Sequence, residues 1–382
     1  MSKKIVLLNT WHNSYDDRVF YHQAKSLAGH GYTIQIISTK EACYKELDNI
    51  TINSFNDSNL DRIEKVNKIT AYLKAFSPDI IICDSPLAVL ATNTYRTTHR
   101  VKIIYDVTEW YPSKIHLQRF KGYQKLVRYF VLLMANLSAG LAADSFIFGE
   151  YYKSLEYRSI YFWKRVCKLP YYPDLEYIQN YPLQEITSEM NLLYTGKINK
   201  DKGIDAVMGG IKTAGLRNPE IKFKLKIIGN FQNKDNRYRF NNLQSELPGN
   251  VQVTVIKTLP FSEYCKAIGN TDLFLDLRMI DFENTHCLPI KLFYYLACGR
   301  PVLYSNLKAI RREIKNINFG YLCDPNDVES IAGHIKDYID NPGLYAEHAA
   351  NALAISKSTY NWKAVEPNFI RFIESHFKKD KN

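Results

Sequence analysis

The sequence predicts an α/β protein of two Rossmann-like domains, each built on a parallel sheet, with an interdomain cleft as the default ligand site. Three observations point there. The 382 residues amount to two domains at roughly 150 residues each. Short β-branched runs alternate with helical patterns, once in the first hundred or so residues and again after residue 190, as parallel strands joined by crossover helices require. Between the two series stand the turn formers Pro170, Pro173 and Pro182, where the chain should change domain. The expected division is a first domain over 1–168, a linker over 169–188, a second domain over 189–358 and a final helical segment over 359–382 that packs back towards the first domain.

In the first domain the strand candidates are Lys4–Asn9, Tyr32–Ser38, Ile50–Phe55, Asp79–Asp84 and Val101–Val107. The first helix is placed by period, with Val19, Ala24, Leu27 and Ala28 on one face and Gly29 to Gly31 as its stop. The loop before it, Asn9 to Asp17, falls at the carboxyl edge of the sheet, where doubly wound folds bind ligands. In the second domain the candidates are Asn191–Thr195, Phe223–Ile228, Val251–Ile256, Asp272–Leu275 and Pro301–Ser305. A helix over Asn326–Ile339 carries the stripe Val328, Ile331, Ile335 and Ile339, with Asp324-Pro325 as its start signal. The last helix, about Asn361 to Phe377, offers Trp362, Phe369, Phe372 and Ile373 for packing.

Composition excludes several classes. The chain is 46% hydrophobic and 23% charged, so it is neither a disordered tract nor a small stapled module. Its seven cysteines are scattered and never form a C-x-x-C pair, so they read as buried thiols rather than a disulfide frame or zinc site. The start of the chain lacks a signal-peptide pattern, and the longest uncharged stretch, Tyr129 to Ala143, is short of a membrane span. A cytoplasmic protein without a transmembrane segment is expected. The net charge of +11 is unevenly placed: Arg100 to Lys168 holds twelve Lys and Arg against five Asp and Glu. Within it, Lys114 to Leu133 is basic and aromatic before it turns apolar, which suits an interfacial helix whose Arg119, Lys121, Lys125 and Arg128 meet anionic headgroups. A core helix with a solvated basic face would read the same way. No nucleic-acid-binding signature accompanies the charge, so nucleic acid is not expected as a partner.

The strongest chemical motif is Asn191 to Gly203, a strand followed by a turn at Gly196, two spaced lysines and a helix. Gly196 lets backbone approach an anion, the helix N-terminus offers N–H groups, and Lys197 and Lys202 add charge, which together suit a diphosphate. A solvated lysine-rich turn is the alternative. Next comes Leu288 to Ser305, where Pro289 opens a helix, Gly299 stops it and a buried strand follows. The polar loop Asp281 to His286 before it is left over by that packing. In the first loop His12 stands beside Asp16, Asp17 and Arg18; it could touch an acceptor or phosphate oxygens, or be a solvated turn residue, with Arg18 pairing Asp17.

Taken in order, these segments resemble the GT-B glycosyltransferases of retaining family four, the group 1 type. The matching pieces are Asp17-Arg18-Val19, Gly31 to Ile37, Ile104 to Pro112, Tyr194 to Lys197 with Lys202-Gly203, Ile227 to Gly229, Leu288 to Ser305, Gly320 to Pro325 and Tyr360-Asn361-Trp362. Each is loose, but their order and spacing over nearly the whole chain are specific. The resemblance implies a nucleoside-diphosphate sugar held by the second domain, a glycan or lipid-linked glycan acceptor on the first, retention of configuration, and no cofactor or metal. It implies that Lys197 and Lys202 meet the diphosphate, with Gly196, His286, Pro289, Lys291 and Tyr294 binding the donor and His12, Asp17 and Arg18 on the acceptor side. Cations placed on the departing diphosphate stabilise its growing charge.

Two departures stand out. Where the family has two glutamates with seven residues between them, this chain has His286 and Tyr294, and a tyrosine hydroxyl can bond a ribose but not as a charged bidentate acceptor. Where relatives carry a histidine that contacts the transferred sugar, this chain has Thr108, while Glu109 is retained. Asp106, Thr108 and Glu109 remain candidates. A non-catalytic relative that binds or scaffolds is the rival reading, and an epimerase a more distant one. Peripheral attachment to the inner membrane face completes the expectations.

Overall fold

The computed structural model describes residues 3–378. The residues up to Tyr171, together with those from Val365 onward, form one compact unit, and Tyr172–Ala364 form the other. The expected linker, 169–188, contains the division at 171/172.

The first unit holds an eight-stranded sheet: β1 (Lys4–Asn9), β2 (Thr33–Ser38), β3 (Cys43–Leu47), β4 (Ile50–Ser54), β5 (Ile80–Cys83), β6 (Lys102–Val107), β7 (Ser145–Phe148) and β8 (Arg165–Lys168). Their spatial order is β3-β4-β2-β1-β5-β6-β7-β8. Every pair is parallel except β3 with β4. The five expected strands are present within a residue or so. The other three escape a search for apolar runs: Cys43–Leu47 is a largely exposed edge, and β7 and β8 have four residues each.

The second unit contains β9 (Glu189–Thr195), β10 (Lys222–Ile228), β11 (Val251–Ile256), β12 (Leu273–Asp276), β13 (Val302–Ser305) and β14 (Gly320–Cys323). All pairs are parallel, in the order β11-β10-β9-β12-β13-β14. This is the doubly wound arrangement in which the connection reverses direction between β9 and β12, leaving a crevice at their carboxyl ends. In the first unit the same reversal lies between β1 and β5.

Three local expectations are corrected. The first helix begins as a π-helix over Asp17–Ala24 before the α-helical Lys25–Gly29, and the wider winding turns Arg18, His22 and Gln23 inward along with Val19 and Phe20. The helix Val328–Asp340 is capped by Asp327, whose carboxylate accepts from Ser330 N, whereas Asp324 closes the preceding turn onto Asn326 N. The 21-residue helix Gly122–Ala142 is long and apolar enough to cross a membrane by length and composition. Counting only uncharged residues hid this, because Lys125 and Arg128 fall within its first two turns.

Candidate functional site

In the second unit, the chain leaving β9 turns sharply at Gly196 (φ +128°). A Cβ on Gly229 would stand 1.7 Å from the Gly196 carbonyl oxygen, so both strand ends close on each other only as glycine. The Gly196 N–H donates to Ile228 O at 2.8 Å. The glycine thus shapes the turn, and the side chains after it carry the charge.

The lysine turn is stapled from below. The buried Tyr194 hydroxyl lies 2.7 Å from the Lys197 carbonyl and 3.1 Å from that of Lys202. Asn199 caps the short 3₁₀ turn Lys200–Lys202 by accepting from Lys202 N at 2.8 Å. Gly203 (φ +85°) then passes so near the end of β12 that a Cβ would sit 1.8 Å from Leu277 O. The two lysines part company as a result. Lys197 is exposed, while Lys202 turns inward and donates to Asn284 Oδ1 at 3.0 Å.

Beyond β12 lies a cluster that sequence reasoning missed. Asp276, at the strand's last position, takes a bidentate contact from Arg278, Nε to Oδ1 at 2.9 Å and NH2 to Oδ2 at 3.0 Å, and accepts from the Tyr304 hydroxyl at 3.0 Å. Burial alone would raise the Asp276 carboxyl, but Arg278 and its hydrogen bonds hold it below the ordinary aspartate range. Lys291, one residue into the helix Ile290–Ala297, donates to Thr195 O beside Gly196. Its ammonium is pushed down to about 8, chiefly by burial, with the Arg278 and Lys202 charges adding to the effect against the pull of Asp276. Lys202 is lowered for the same reasons, burial first and Arg278 next, although Asp276 and Asp281 oppose the shift. Three cations thus share the carboxyl edge at the β9/β12 reversal, and burial, reinforced by repulsion from neighbouring cations, lowers two of them. Such a cluster gains most from a polyanion. The clue in the sequence was a strand ending in Asp276 with Arg278 two residues on, both side chains on one face.

The other expected donor residues are placed as follows. Pro289 is buried at the N-cap of the helix Ile290–Ala297. His286 ends the short helix Phe282–His286, with its Nδ1 2.8 Å from Phe282 O. The Tyr294 ring is buried edge-on to Phe261 and Tyr264. In the loop left over by packing, Asn284 emerges as the organising residue, bonded to Met279 O and Asp201 O besides Lys202.

In the first unit, the carboxyl edge at the β1/β5 reversal carries Thr10 to His12 after β1, Asp84 after β5 and Thr108 after β6. Asp84 is buried and accepts from Thr10 N at 2.9 Å, from Trp11 N at 3.1 Å and from the Thr10 hydroxyl; burial still raises its carboxyl. His12 Nδ1 lies 3.1 Å from Asp16 Oδ2. Burial would lower this imidazole, yet the Asp16 hydrogen bond and charge, with Asp84 and Asp17 behind them, raise it to about 9. His12 is therefore a cation at neutral pH. Asp16 also accepts from Arg18 N and Val19 N, so it caps the π-helix. Thr108 donates to Asp84 O at 3.2 Å, its own carbonyl accepts from Lys153 Nζ, and Glu109 is exposed.

Arg18 departs from expectation. It is 3% exposed, and it grips Asp106 through Nε at 2.8 Å and NH2 at 2.9 Å, donates NH1 to Leu169 O, and stacks over Tyr171 at 3.8 Å. Gln23 donates to the same carboxylate at 2.8 Å. The Arg18 guanidinium is therefore buried on Asp106 rather than paired with Asp17. It and Asp106 form a buried strut beneath the loop. Asp17 accepts from Arg18 N at 2.9 Å.

The raised His12 makes stability depend on pH. Its contribution is full below the unfolded value near 6.5 and is lost as pH rises through about 9. We expect chemical denaturation to show wild type losing stability between pH 7 and 9 relative to His12→Gln; parallel profiles would remove the His12–Asp16 pair from the account.

Among the described residues, no group of three or more His, Cys, Asp or Glu side chains is placed to hold a metal ion. Residues 183–354 match the family model described as glycosyl transferases group 1. No curated protein matches the chain in sequence. Among solved structures, the sucrose-phosphate synthase of Thermosynechococcus elongatus is 14% identical with a TM-score of 0.75, covering 98% of this chain and 99% of its own. An E. coli trehalose-6-phosphate protein bound with UDP-2-fluoro glucose is 12% identical with a TM-score of 0.72, covering 97% and 99%. WaaG, a glycosyltransferase involved in lipopolysaccharide biosynthesis, is 13% identical with a TM-score of 0.67, again covering 97% and 99%. The fold is that of the GT-B glycosyltransferases, and the second unit carries the group 1 glycosyl transferase match.

Proposed function

We propose that this chain is a group 1 glycosyltransferase of the retaining type. It moves a sugar from a nucleoside-diphosphate donor to a glycan or lipid-linked glycan, in the cytoplasm, for surface polysaccharide or glycoconjugate synthesis. The observation that carries the reading is the cationic edge at the β9/β12 reversal, where Lys202, Arg278 and Lys291 converge. When the anomeric C–O bond breaks, charge grows on the leaving diphosphate, and fixed cations stabilise that charge more in the transition state than in the bound donor. We assign this work to Lys202 and Lys291, with Arg278 held in place by Asp276, and propose that no metal is needed. The donor-bound E. coli relative and the lipopolysaccharide role of WaaG support the nucleotide-sugar and polysaccharide parts of the reading. On the first unit, the protonated His12 at the β1/β5 reversal is the acceptor-side candidate, able to donate a charged hydrogen bond; Thr108 and Glu109 flank it along the same edge.

A binding protein without transfer activity is the second reading. It is favoured by Tyr294, which lies in an aromatic cluster at a position where the family resemblance implies a carboxylate. Thermal shifts with nucleoside diphosphates and their sugars, with and without Mg²⁺, test both. A ligand at 100 times its Kd adds about 2.7 kcal/mol of stability. We expect one nucleotide to stabilise the protein without metal and its sugar to be transferred to an acceptor glycan. A shift without any turnover would favour the binding protein, and no shift with any nucleotide would refute the donor site.

A further inference from the structure

Trp11 stands two residues beyond β1, at the carboxyl edge of the first sheet, and is 43% exposed. An exposed indole is ordinary in itself, but this one is fixed. Its backbone N–H donates to the buried Asp84 carboxylate at 3.1 Å. Its ring meets the His116 imidazole edge to face, with centroids 5.2 Å apart and planes at 64°, and the Lys40 ammonium lies 5.7 Å from its centroid. Lys40 follows β2, and His116 lies in the short helix Lys114–Leu117 after β6. The indole therefore bridges loops that leave β2, β1 and β6, at the reversal where a doubly wound sheet offers its crevice.

His116 is itself braced. It stacks on the buried Tyr111 at 4.5 Å, and its Nδ1 accepts from Ser113 N at 3.2 Å. An accepting Nδ1 leaves the proton on Nε2, so the imidazole is neutral. Burial lowers it in the same sense, against the pull of Glu109. Tyr111, His116 and Trp11 thus form an aromatic wall whose open member is Trp11. The next residue supplies a polar group for its rim. His12 spends Nδ1 on Asp16 at 3.1 Å, and its Nε2 has no hydrogen-bond partner among the described residues. A fixed apolar surface with a few placed polar groups is the ordinary composition of a small-ligand site.

Such a platform suits a pyranose. One face of the sugar ring carries C–H bonds whose positive ends favour the negative face of an indole, and hydroxyl oxygens on its rim accept from a charged N–H. Charge narrows the class. Three carboxylates, Asp16, Asp84 and Asp17, face His12, and Glu109 is exposed along the same edge. Lys40, the cation at the ring, already shares Asp57 with Lys65, at 3.9 and 3.2 Å. A sugar bearing a carboxylate or a phosphate would be repelled there, whereas an uncharged one meets no such repulsion. We propose that Trp11 is the stacking platform for the terminal pyranose of an uncharged glycan acceptor, with His12 Nε2 donating to one of its hydroxyls. The assignment rests on the transferase reading and deepens it, since it names the acceptor class: a neutral hexopyranoside rather than a uronic acid or a sugar phosphate.

The indole N–H resonances of the full chain, labelled with ¹⁵N-tryptophan, test it directly. There are four tryptophans, and Trp11→Phe assigns the relevant signal. The probes are the methyl glycosides of glucose, galactose, mannose and N-acetylglucosamine, with methyl glucuronide and glucose 6-phosphate as charged counterparts. We expect at least one neutral glycoside to move the Trp11 signal saturably, and the charged probes to bind about ten-fold more weakly or not at all. Trp11→Ala should weaken binding of that glycoside about ten-fold and Trp11→Phe about three-fold, in step with the ring face lost, while circular dichroism and the nucleotide thermal shift stay as in wild type. In transfer assays Trp11→Ala should raise the acceptor KM and largely spare kcat, the split expected when binding common to ground and transition states is removed. A Trp11 signal that none of the neutral glycosides moves would overturn the platform, as would wild-type glycoside affinity in Trp11→Ala. Tighter binding of a charged probe would overturn the acceptor class. The two readings fail separately: donor binding and turnover with an unmoved Trp11 signal would leave the transferase and remove the platform, and a moved Trp11 signal with no nucleotide shift would do the reverse.

Discussion

Lys202→Ala is expected to lower kcat by roughly 10²–10³, the usual loss when one fixed donor to a developing negative charge is removed, whereas Lys197→Ala alone should cost far less. The sequence presents the two lysines as equals. The structure ranks them, because Lys202 is drawn inward onto Asn284 beside Arg278 and Lys291 while Lys197 stands in solvent. The double variant should lose turnover and keep its fold, since deleting Lys202 removes one partner of Asn284, a change of about 1 kcal/mol, and also relieves repulsion among the cations. That relief has its own signature. Lys291, held down to about 8 partly by Lys202, should titrate higher in Lys202→Ala. In wild type, affinity for a nucleoside diphosphate should fall as pH rises through about 8, where Lys291 loses the charge that attracts it. Steady-state kinetics and a pH series of nucleotide binding check both points. Full turnover in Lys202→Ala, or affinity that does not change between pH 7 and 9, would remove the cationic edge from the mechanism.

Asp106→Ala should destabilise the first unit by about 3–5 kcal/mol, because it leaves the Arg18 guanidinium buried without its counter-charge. For a unit of this size that corresponds to roughly 6–20 °C in Tm. The diagnostic comparison is the pair Arg18→Met with Asp106→Leu. Removing both charges should restore a large part of the loss, since a buried ion pair contributes little net stability once its desolvation is counted. What remains should reflect Gln23 and Leu169 O, which lose their partners. Equal destabilisation in the single and double variants, measured by denaturant unfolding, would show that the strut acts through packing alone. The strut also fixes the π-helix start, which Asp16 caps while it holds His12. Asp106→Ala should therefore lower the His12 pKa from about 9 as well.

Much of the scaffold was legible in the residues. The runs of β1, β2, β5, β6, β9, β12 and β13 announce themselves because strands buried on both faces need continuous apolar side chains, and β4, β10 and β11 do so by alternating β-branched or apolar residues with polar ones. Gly196 and Gly203 mark the lysine-bearing turn because both take a positive φ, and a Cβ on Gly203 would sit 1.8 Å from Leu277 O. The short β7 and β8 and the exposed β3 were not legible, since four residues or an edge position leave too little pattern to read.

The sequence by itself determined the two mostly parallel sheets and the lysine-bearing turn after β9, both properties of local pattern and spacing. Tertiary structure decided which charged groups meet. Arg18 and Asp106 are 88 residues apart, and Lys202 and Asn284 are separated by 82. No local rule predicts such pairs, because they arise only when distant strand ends are brought to one sheet edge. The same holds for Trp11, whose ring meets Lys40 and His116 from the loops after two other strands. Periodicity records which face of an element is buried; the partner that buries it, or the solvent that leaves it open, is settled only by packing.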